Sequence, residues 1–142
     1  MSRNRKVLFI CTGNACRSQL AEGILKHLAS EDFDVFSAGT HPTQVHSLAI
    51  RVMQEWDIDI SNQTSDHIDK YLDMGINIVI TLCESAEAIC PTFAGNVKRD
   101  YWNIPDPFPG WVSDPQYLVK FREVRNLIRS HIEAFLEDYR SK

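Results

Sequence analysis

The sequence has no surplus of positive charge: 15 Lys and Arg face 19 Asp and Glu, a net charge of −4. An acidic chain is poorly suited to nucleic acid as its main partner. Any anionic substrate must then be caught by local dipoles and single cations rather than by the global field. Long apolar runs are also missing. The longest are Val7–Cys11 and the stretch around Ile78–Cys83, far below the ~20 residues that span a bilayer. The basic start (Arg3, Arg5, Lys6) precedes only five apolar residues, fewer than the roughly 7–15 of a signal peptide. A solvated tail and a cytoplasmic protein are expected. Glycine and proline are sparse, six each, which excludes collagen-like and low-complexity classes. Cysteine is sparse too: Cys11, Cys16, Cys83 and Cys90. A chain of 142 residues buries roughly 70% of its unfolded surface, so it needs no disulfide staples. Cytosolic thiols stay reduced unless they do chemistry or bind metal. The Cys83/Cys90 spacing and the scattered histidines do not form the four-ligand set of a zinc site.

What is present alternates between strand and helix. Lys6–Ile10 reads as a buried strand, Phe33–Ser37 as a second, Ile76–Thr81 as a third buried on both faces, and Val97–Trp102 as a weaker fourth. A helical period begins at Arg17, with Leu20, Ala21, Ile24, Leu25 and Leu28 on one face. Ser47–Trp56 is a second amphipathic helix with Leu48, Val52, Met53 and Trp56 inward, and Ser65–Leu72 is a short helical piece. Pro105–Gly110 is a loop, and a long helix runs from about Asp114 to Tyr139. No repeat or linker interrupts residues 1–142, so one domain is expected. The fold class is α/β: a four-stranded parallel sheet in the flavodoxin-like order 2-1-3-4, with helices on both faces. Such sheets bind ligands beyond the carboxyl ends of the strands where the winding reverses. That point lies between strands one and three, which end near Cys11 and Cys83. Adjacent strands are about 4.8 Å apart, so both thiols should emerge at one edge.

The segment between the first strand and the first helix is Cys11-Thr12-Gly13-Asn14-Ala15-Cys16-Arg17-Ser18. The five residues between Cys11 and Arg17 let the backbone curl until successive N–H groups converge, and a helix N-terminus adds its dipole. Gly13 allows a left-handed or closely approached backbone, and Asn14 is the next most tolerant residue. Arg17 offers a two-pronged grip on a tetrahedral oxyanion. A cation in the first turn opposes the helix dipole, so its placement calls for an anion. The same surroundings favour the thiolate, the nucleophilic form, at Cys11, and Ser18 can donate to it. A plain buried thiol at Cys11 would leave the rest of this order without a reason. Cys16 reads as packing.

Together with Gln19 and Ala21-Glu22-Gly23, this loop resembles the low-molecular-weight protein tyrosine phosphatase superfamily, and within it the thioredoxin-coupled arsenate reductases. Ser37-Ala38-Gly39, Ile58-Asp59-Ile60-Ser61, Thr64-Ser65-Asp66, Val79–Cys83, Cys90-Pro91 and Asp106-Pro107 extend the resemblance over nearly the whole chain. The resemblance implies a mechanism. Cys11 attacks arsenate held by residues 12–17, and Asp106 protonates the leaving hydroxide. Cys83 then attacks Cys11, and Cys90 attacks Cys83. A Cys83–Cys90 disulfide results, which thioredoxin, or alternatively glutaredoxin, reduces. No cofactor is required. Some members bind potassium at positions corresponding to Asn14, Glu22, Ser37 and Asp66, whose oxygens suit a hard cation. A monomer that touches neither nucleic acid nor membrane is expected.

Two features complicate this reading. Asp-Pro is a common turn opener, so Asp106 has an ordinary structural explanation. The lid differs from the superfamily pattern: Pro105 precedes Asp106 where an acidic residue is frequent in such reductases, and Phe108-Pro109-Gly110-Trp111 follows. Phe108 and Pro109 hold the positions of the tyrosine pair that flanks aryl substrates in the phosphatases. A phosphatase acting on phosphotyrosine or small phosphoesters is the alternative, and an anion-binding module without turnover is a third possibility. A phosphatase has no use for Cys83 and Cys90. If residues 83–90 are helical, those two positions lie about 10 Å apart, whereas a disulfide tolerates roughly 4.4–6.8 Å between α-carbons. The relay therefore requires this segment to unwind, although Pro91 already disfavours helix at Cys90.

Overall fold

Four segments pair into one parallel sheet in a computed structural model that describes residues 4–141; Arg3 of the basic start lies outside the described residues. The strands are β1 (Arg5–Cys11), β2 (Phe33–Gly39), β3 (Ile78–Thr81) and β4 (Lys98–Tyr101), ordered β2-β1-β3-β4. This is the expected 2-1-3-4 winding. Val7–Ile10 and Ile78–Thr81 are buried along their whole length, as befits central strands covered on both faces. β4 is exposed throughout. Its Lys-Arg-Asp-Tyr sequence protects the free edge from pairing with another chain. Trp102, just beyond it, turns inward against Phe9 at 5.8 Å.

The helices are α1 (Arg17–Ala29), α2 (Ser47–Gln54), α3 (Glu84–Ile89) and α4 (Leu118–Arg140). Phe33 and Phe36 are three residues apart on β2 and so point to opposite faces. Phe33 meets Phe135 and Tyr139 of α4, while Phe36 meets Tyr71, so both faces of the sheet are covered. The α4 stripe buries Leu118, Phe121, Val124, Ile128, Ile132 and Leu136, and leaves Leu127 and Phe135 half-buried. Arg125 is buried among them. Its guanidinium donates to Glu55 and to the Val52 carbonyl at 2.7 and 2.8 Å, and lies over Trp56 at 4.1 Å.

β3 begins at Ile78 rather than Ile76 and β2 runs on to Gly39, and three helical segments differ from expectation for local reasons. α2 stops at Gln54, not Trp56, because Asp57 adopts a left-handed φ of 58°. The Asp57 and Ile58 N–H groups then bond back to Gln54 and Met53, which closes the helix as a Schellman motif. Trp56 is consequently half-buried rather than core. The Ser65–Leu72 piece contracts to one 3-10 turn, Ile68–Tyr71, capped by His67. The long helix begins with a 3-10 turn at Pro115–Tyr117, capped by Asp114, before α4 proper. No helix among the described residues is long and apolar enough to cross a membrane.

Candidate active site

The loop between β1 and α1 is shaped from outside. The carbonyls of Cys11, Thr12, Gly13 and Ala15 accept from the N–H groups of Thr40, His41, Thr43 and His46, and the Asn14 carbonyl accepts from Gln19 Nε2. In a trans peptide the N–H of the next residue points opposite to the carbonyl. The N–H groups of residues 12–16 are therefore turned to the concave side. The left-handed residue is Asn14, with φ 49°. Gly13, which could have allowed a left-handed or closely approached backbone, does not adopt a positive φ, and a Cβ there would meet nothing nearer than 3.6 Å. The glycine that matters for packing is Gly39: a Cβ there would lie 2.5 Å from the Thr12 carbonyl oxygen, so β2 can pass this close only without a side chain.

Buried Cys11 and Ser18 face each other, Sγ to Oγ, at 2.9 Å. Asn14 Nδ2 donates to the same Ser18 oxygen at 2.7 Å, and Asn14 Oδ1 accepts the Asp66 N–H at 2.8 Å. Ser18 accepts the amide proton and still has its own hydroxyl proton to donate to the sulfur when Cys11 is a thiolate. Arg17 Nη1 donates to the Ile104 carbonyl at 3.0 Å, and Nη2 lies 3.9 Å from Asp106 Oδ2. Asp106 is exposed, and its Oδ1 accepts the Phe108 N–H. It opens a turn, as Asp-Pro often does, and also borders the site. Cys11, Thr12, Gly13, Ala15, Cys16, Arg17 and Asp106 line a cavity of about 300 Å³ whose outer walls include Phe108 and Trp111.

Cys83 does not line this cavity; it lies in an adjoining pocket that shares Arg17 and Asp106 with it, and the strand register brings it there. Ile10 pairs with Thr81 in parallel, so Thr12 stands opposite Cys83, and Thr12 Oγ1 lies 3.3 Å from Cys83 Sγ. Thr12 also meets Ser85 Oγ at 2.9 Å. Burial raises the Cys83 thiol, but hydrogen bonds from Thr12, the Ala86 backbone and Ser85, together with the charge of Arg17, hold it below the ordinary thiol value. Burial raises Cys90, against the partial opposition of Arg99. Burial drives Cys16 far above the thiol range, with help from Cys11 and Asp106; it is buried, yet it lines the cavity as a member of the loop. Cys90 is not brought to the cavity. Cys83 and Cys90 bracket the helix α3, about 10 Å apart along its axis.

Asn14, Glu22, Ser37 and Asp66 do converge. Asn14 Nδ2 donates to Ser37 Oγ at 3.0 Å, and Ser37 donates to Glu22. However, Lys26 Nζ is paired with Glu22, and Lys70 Nζ lies 3.5 Å from Asp66. Each carboxylate thus has its cation, and Asn14 presents an amide N–H rather than oxygen to Ser37. The set does not fit a potassium ion in this arrangement. The four residues are joined to one another through Asn14, which also donates to Ser18.

Thr12 as the bridge to Cys83, Gly39 as the close-approach residue and Gln19 as the loop anchor were not singled out by sequence reasoning. The signals for two of them were available. Thr12 follows from carrying the strand register one step past the sheet, and Gln19 is a polar residue on the buried side of α1. For Gly39, only coordinates reveal the approach.

The family described as low molecular weight phosphotyrosine protein phosphatase matches residues 6–142. The chain belongs to this family. A relative described as arsenate reductase, from Oceanobacillus iheyensis, is 43% identical over 129 residues, covering 91% of this chain and 93% of the relative. A solved structure of an arsenate reductase in its oxidized state superposes with a TM-score of 0.80 at 34% identity, covering 94% of this chain and 98% of the other. A thioredoxin-dependent arsenate reductase from Corynebacterium glutamicum gives a TM-score of 0.68 at 26% identity, covering 95% of this chain and 63% of that one. The family's description is of a phosphatase, whereas this relative and these two solved structures are described as arsenate reductases.

Proposed function

We propose that this chain reduces arsenate to arsenite with electrons supplied by its own thiols. The observation that carries the proposal is the second thiol at the cradle: Cys83 Sγ lies 3.3 Å from the Thr12 hydroxyl and is held toward its thiolate. A phosphoester hydrolase has no use for it.

The Cys11 thiolate attacks arsenic(V), and one oxygen leaves as water after protonation by Asp106. The Cys83 thiolate attacks Cys11 Sγ. The sulfur–arsenic electron pair passes to arsenic, arsenite departs, and a Cys11–Cys83 disulfide remains. Cys90 attacks Cys83 and frees the Cys11 thiolate. The resulting Cys83–Cys90 disulfide is reduced by an external dithiol protein. The name of the Corynebacterium relative favours the thioredoxin class as donor, with glutaredoxin as the alternative. No cofactor enters the scheme, and the cytosol supplies the reducing partner.

Arsenate, thioredoxin, thioredoxin reductase and NADPH test this together. Arsenate-dependent NADPH oxidation is expected, and both Cys83→Ser and Cys90→Ser should abolish it. Replacing thioredoxin with glutaredoxin and glutathione distinguishes the donors. The phosphatase reading is favoured by one observation: Phe108 and Trp111 wall the cavity above the cradle, where an aryl ester would stack. Aryl-phosphate hydrolysis without NADPH consumption would establish that reading instead.

A further inference from the structure

We propose that His46 is a positioning residue that clamps the loop bearing Asp106 onto the oxyanion loop. The inference rests on the proposed role of Asp106 as acid. His46 is 1% exposed and sits at the N-cap of α2, outside the cavity lining. Its backbone N–H donates to the Ala15 carbonyl of the oxyanion loop at 3.0 Å. Its Nδ1 accepts the Leu48 N–H at 3.0 Å. A ring nitrogen that accepts carries no proton, so in the neutral ring the proton is on Nε2. Nε2 lies 2.8 Å from the Gly110 carbonyl oxygen, and it donates there. One residue thus holds three groups: the oxyanion loop, the first turn of α2 and the acid loop.

The acid loop needs such an anchor. Pro105, Pro107 and Pro109 have no N–H to give, so its position depends on what its carbonyls and side chains meet. Arg17 grips the Ile104 carbonyl before Asp106, and His46 grips the Gly110 carbonyl after it. Gly110 has φ 99°, a conformation that suits glycine and leaves its carbonyl turned to the ring. Trp111 stacks on the imidazole at 5.3 Å and 18°, while Phe108 meets it edge-on at 5.6 Å. Phe121 of α4 backs the ring at 5.2 Å. Asp106, 56% exposed in its side chain, is thereby suspended between two anchored carbonyls.

Two substitutions separate the clamp from the cap. In His46→Asn the short amide keeps an acceptor for the Leu48 N–H but cannot reach Gly110. In His46→Gln the amide N–H stands near the position of Nε2 and can reach it. Four quantities are measured on the full chain: kcat/KM for arsenate, competitive inhibition by inorganic phosphate, thermal stability, and amide exchange over residues 108–112. For His46→Asn we expect kcat/KM to fall about tenfold, part of the 10²–10⁴ that a placed general acid supplies. Phosphate inhibition should stay within about twofold, and exchange at Phe108, Gly110 and Trp111 should accelerate. His46→Gln should recover most of both effects. Unchanged kcat/KM and exchange in His46→Asn overturn the clamp. So does a parallel loss of phosphate binding, which would make His46 a support of the cradle alone. If the parent chain turns over no arsenate, the proposed function fails while the exchange comparison still decides the clamp.

Discussion

The three thiols outside the cradle's centre differ because each is solvated and paired differently. At Cys83, hydrogen bonds and Arg17 overcome burial; at Cys90, burial prevails; at Cys16, burial and neighbouring negative charge leave the thiol protonated. A lowered value means that thiolate appears at lower pH, and a raised value that it appears later. The pH midpoint of iodoacetamide labelling, followed by peptide mapping, should therefore be lower at Cys83 than at Cys90. Cys16 should remain unlabelled in the native state. Midpoints in the reverse order would contradict the assignment of Cys83 as the second nucleophile. At this scale much of the site was legible, because Cys11, Arg17 and Ser18 belong to one short segment whose spacing dictates their convergence. The left-handed position was not: Asn14 takes it because its amide is fixed between Ser18, Ser37 and the Asp66 N–H, contacts up to 52 residues away. His46 was equally hidden, since its Gly110 partner is 64 residues distant.

Among the elements, α3 is the one that the proposed relay requires to change most. It is six residues long, too short to be stable by itself, and only Ala86 on it is buried. Such a helix opens at low cost, and closing a bond between its two flanking cysteines requires it to open. Amide exchange over residues 84–90 should be slower in the reduced protein than after arsenate turnover without a reductant. Equal protection in both states would refute the unwinding. The elements themselves were largely readable. β1 and β3 announce burial on both faces, and the stripes of α1 and α4 follow the helical period. The errors lay at ends set by side-chain caps and one left-handed residue, Asp57, which leave little mark in an apolar pattern.

In the whole molecule, the sheet order sets β1 beside β3, so that the residue 11–18 loop and Cys83 share an edge, the juxtaposition on which the proposed function rests. That juxtaposition could be read from alternation and winding alone. What holds α2 and α4 together could not, because Arg125 looks like an ordinary charged residue in sequence. Glu55 is drawn down to about 2 by the hydrogen bond from Arg122 foremost; burial opposes this, and the hydrogen bond from Arg125 and the charges of both arginines add to the lowering. A depressed carboxylate contributes stability above its ordinary range and loses it as pH falls toward 2. Arg125→Ala removes a buried donor to Glu55 and Val52, and should cost roughly 1.5–3 kcal/mol of unfolding free energy at neutral pH. Arg122→Ala, on the exposed side, should cost at most about 1 kcal/mol. Urea titration of the two variants checks the order, and equal losses would contradict it.

The most direct test is one stoichiometric arsenate turnover by the reduced chain with no external reductant, followed by disulfide mapping by mass spectrometry. The account predicts one equivalent of arsenite, a bond between Cys83 and Cys90, and free thiols at Cys11 and Cys16. Four free thiols after exposure to arsenate would contradict it.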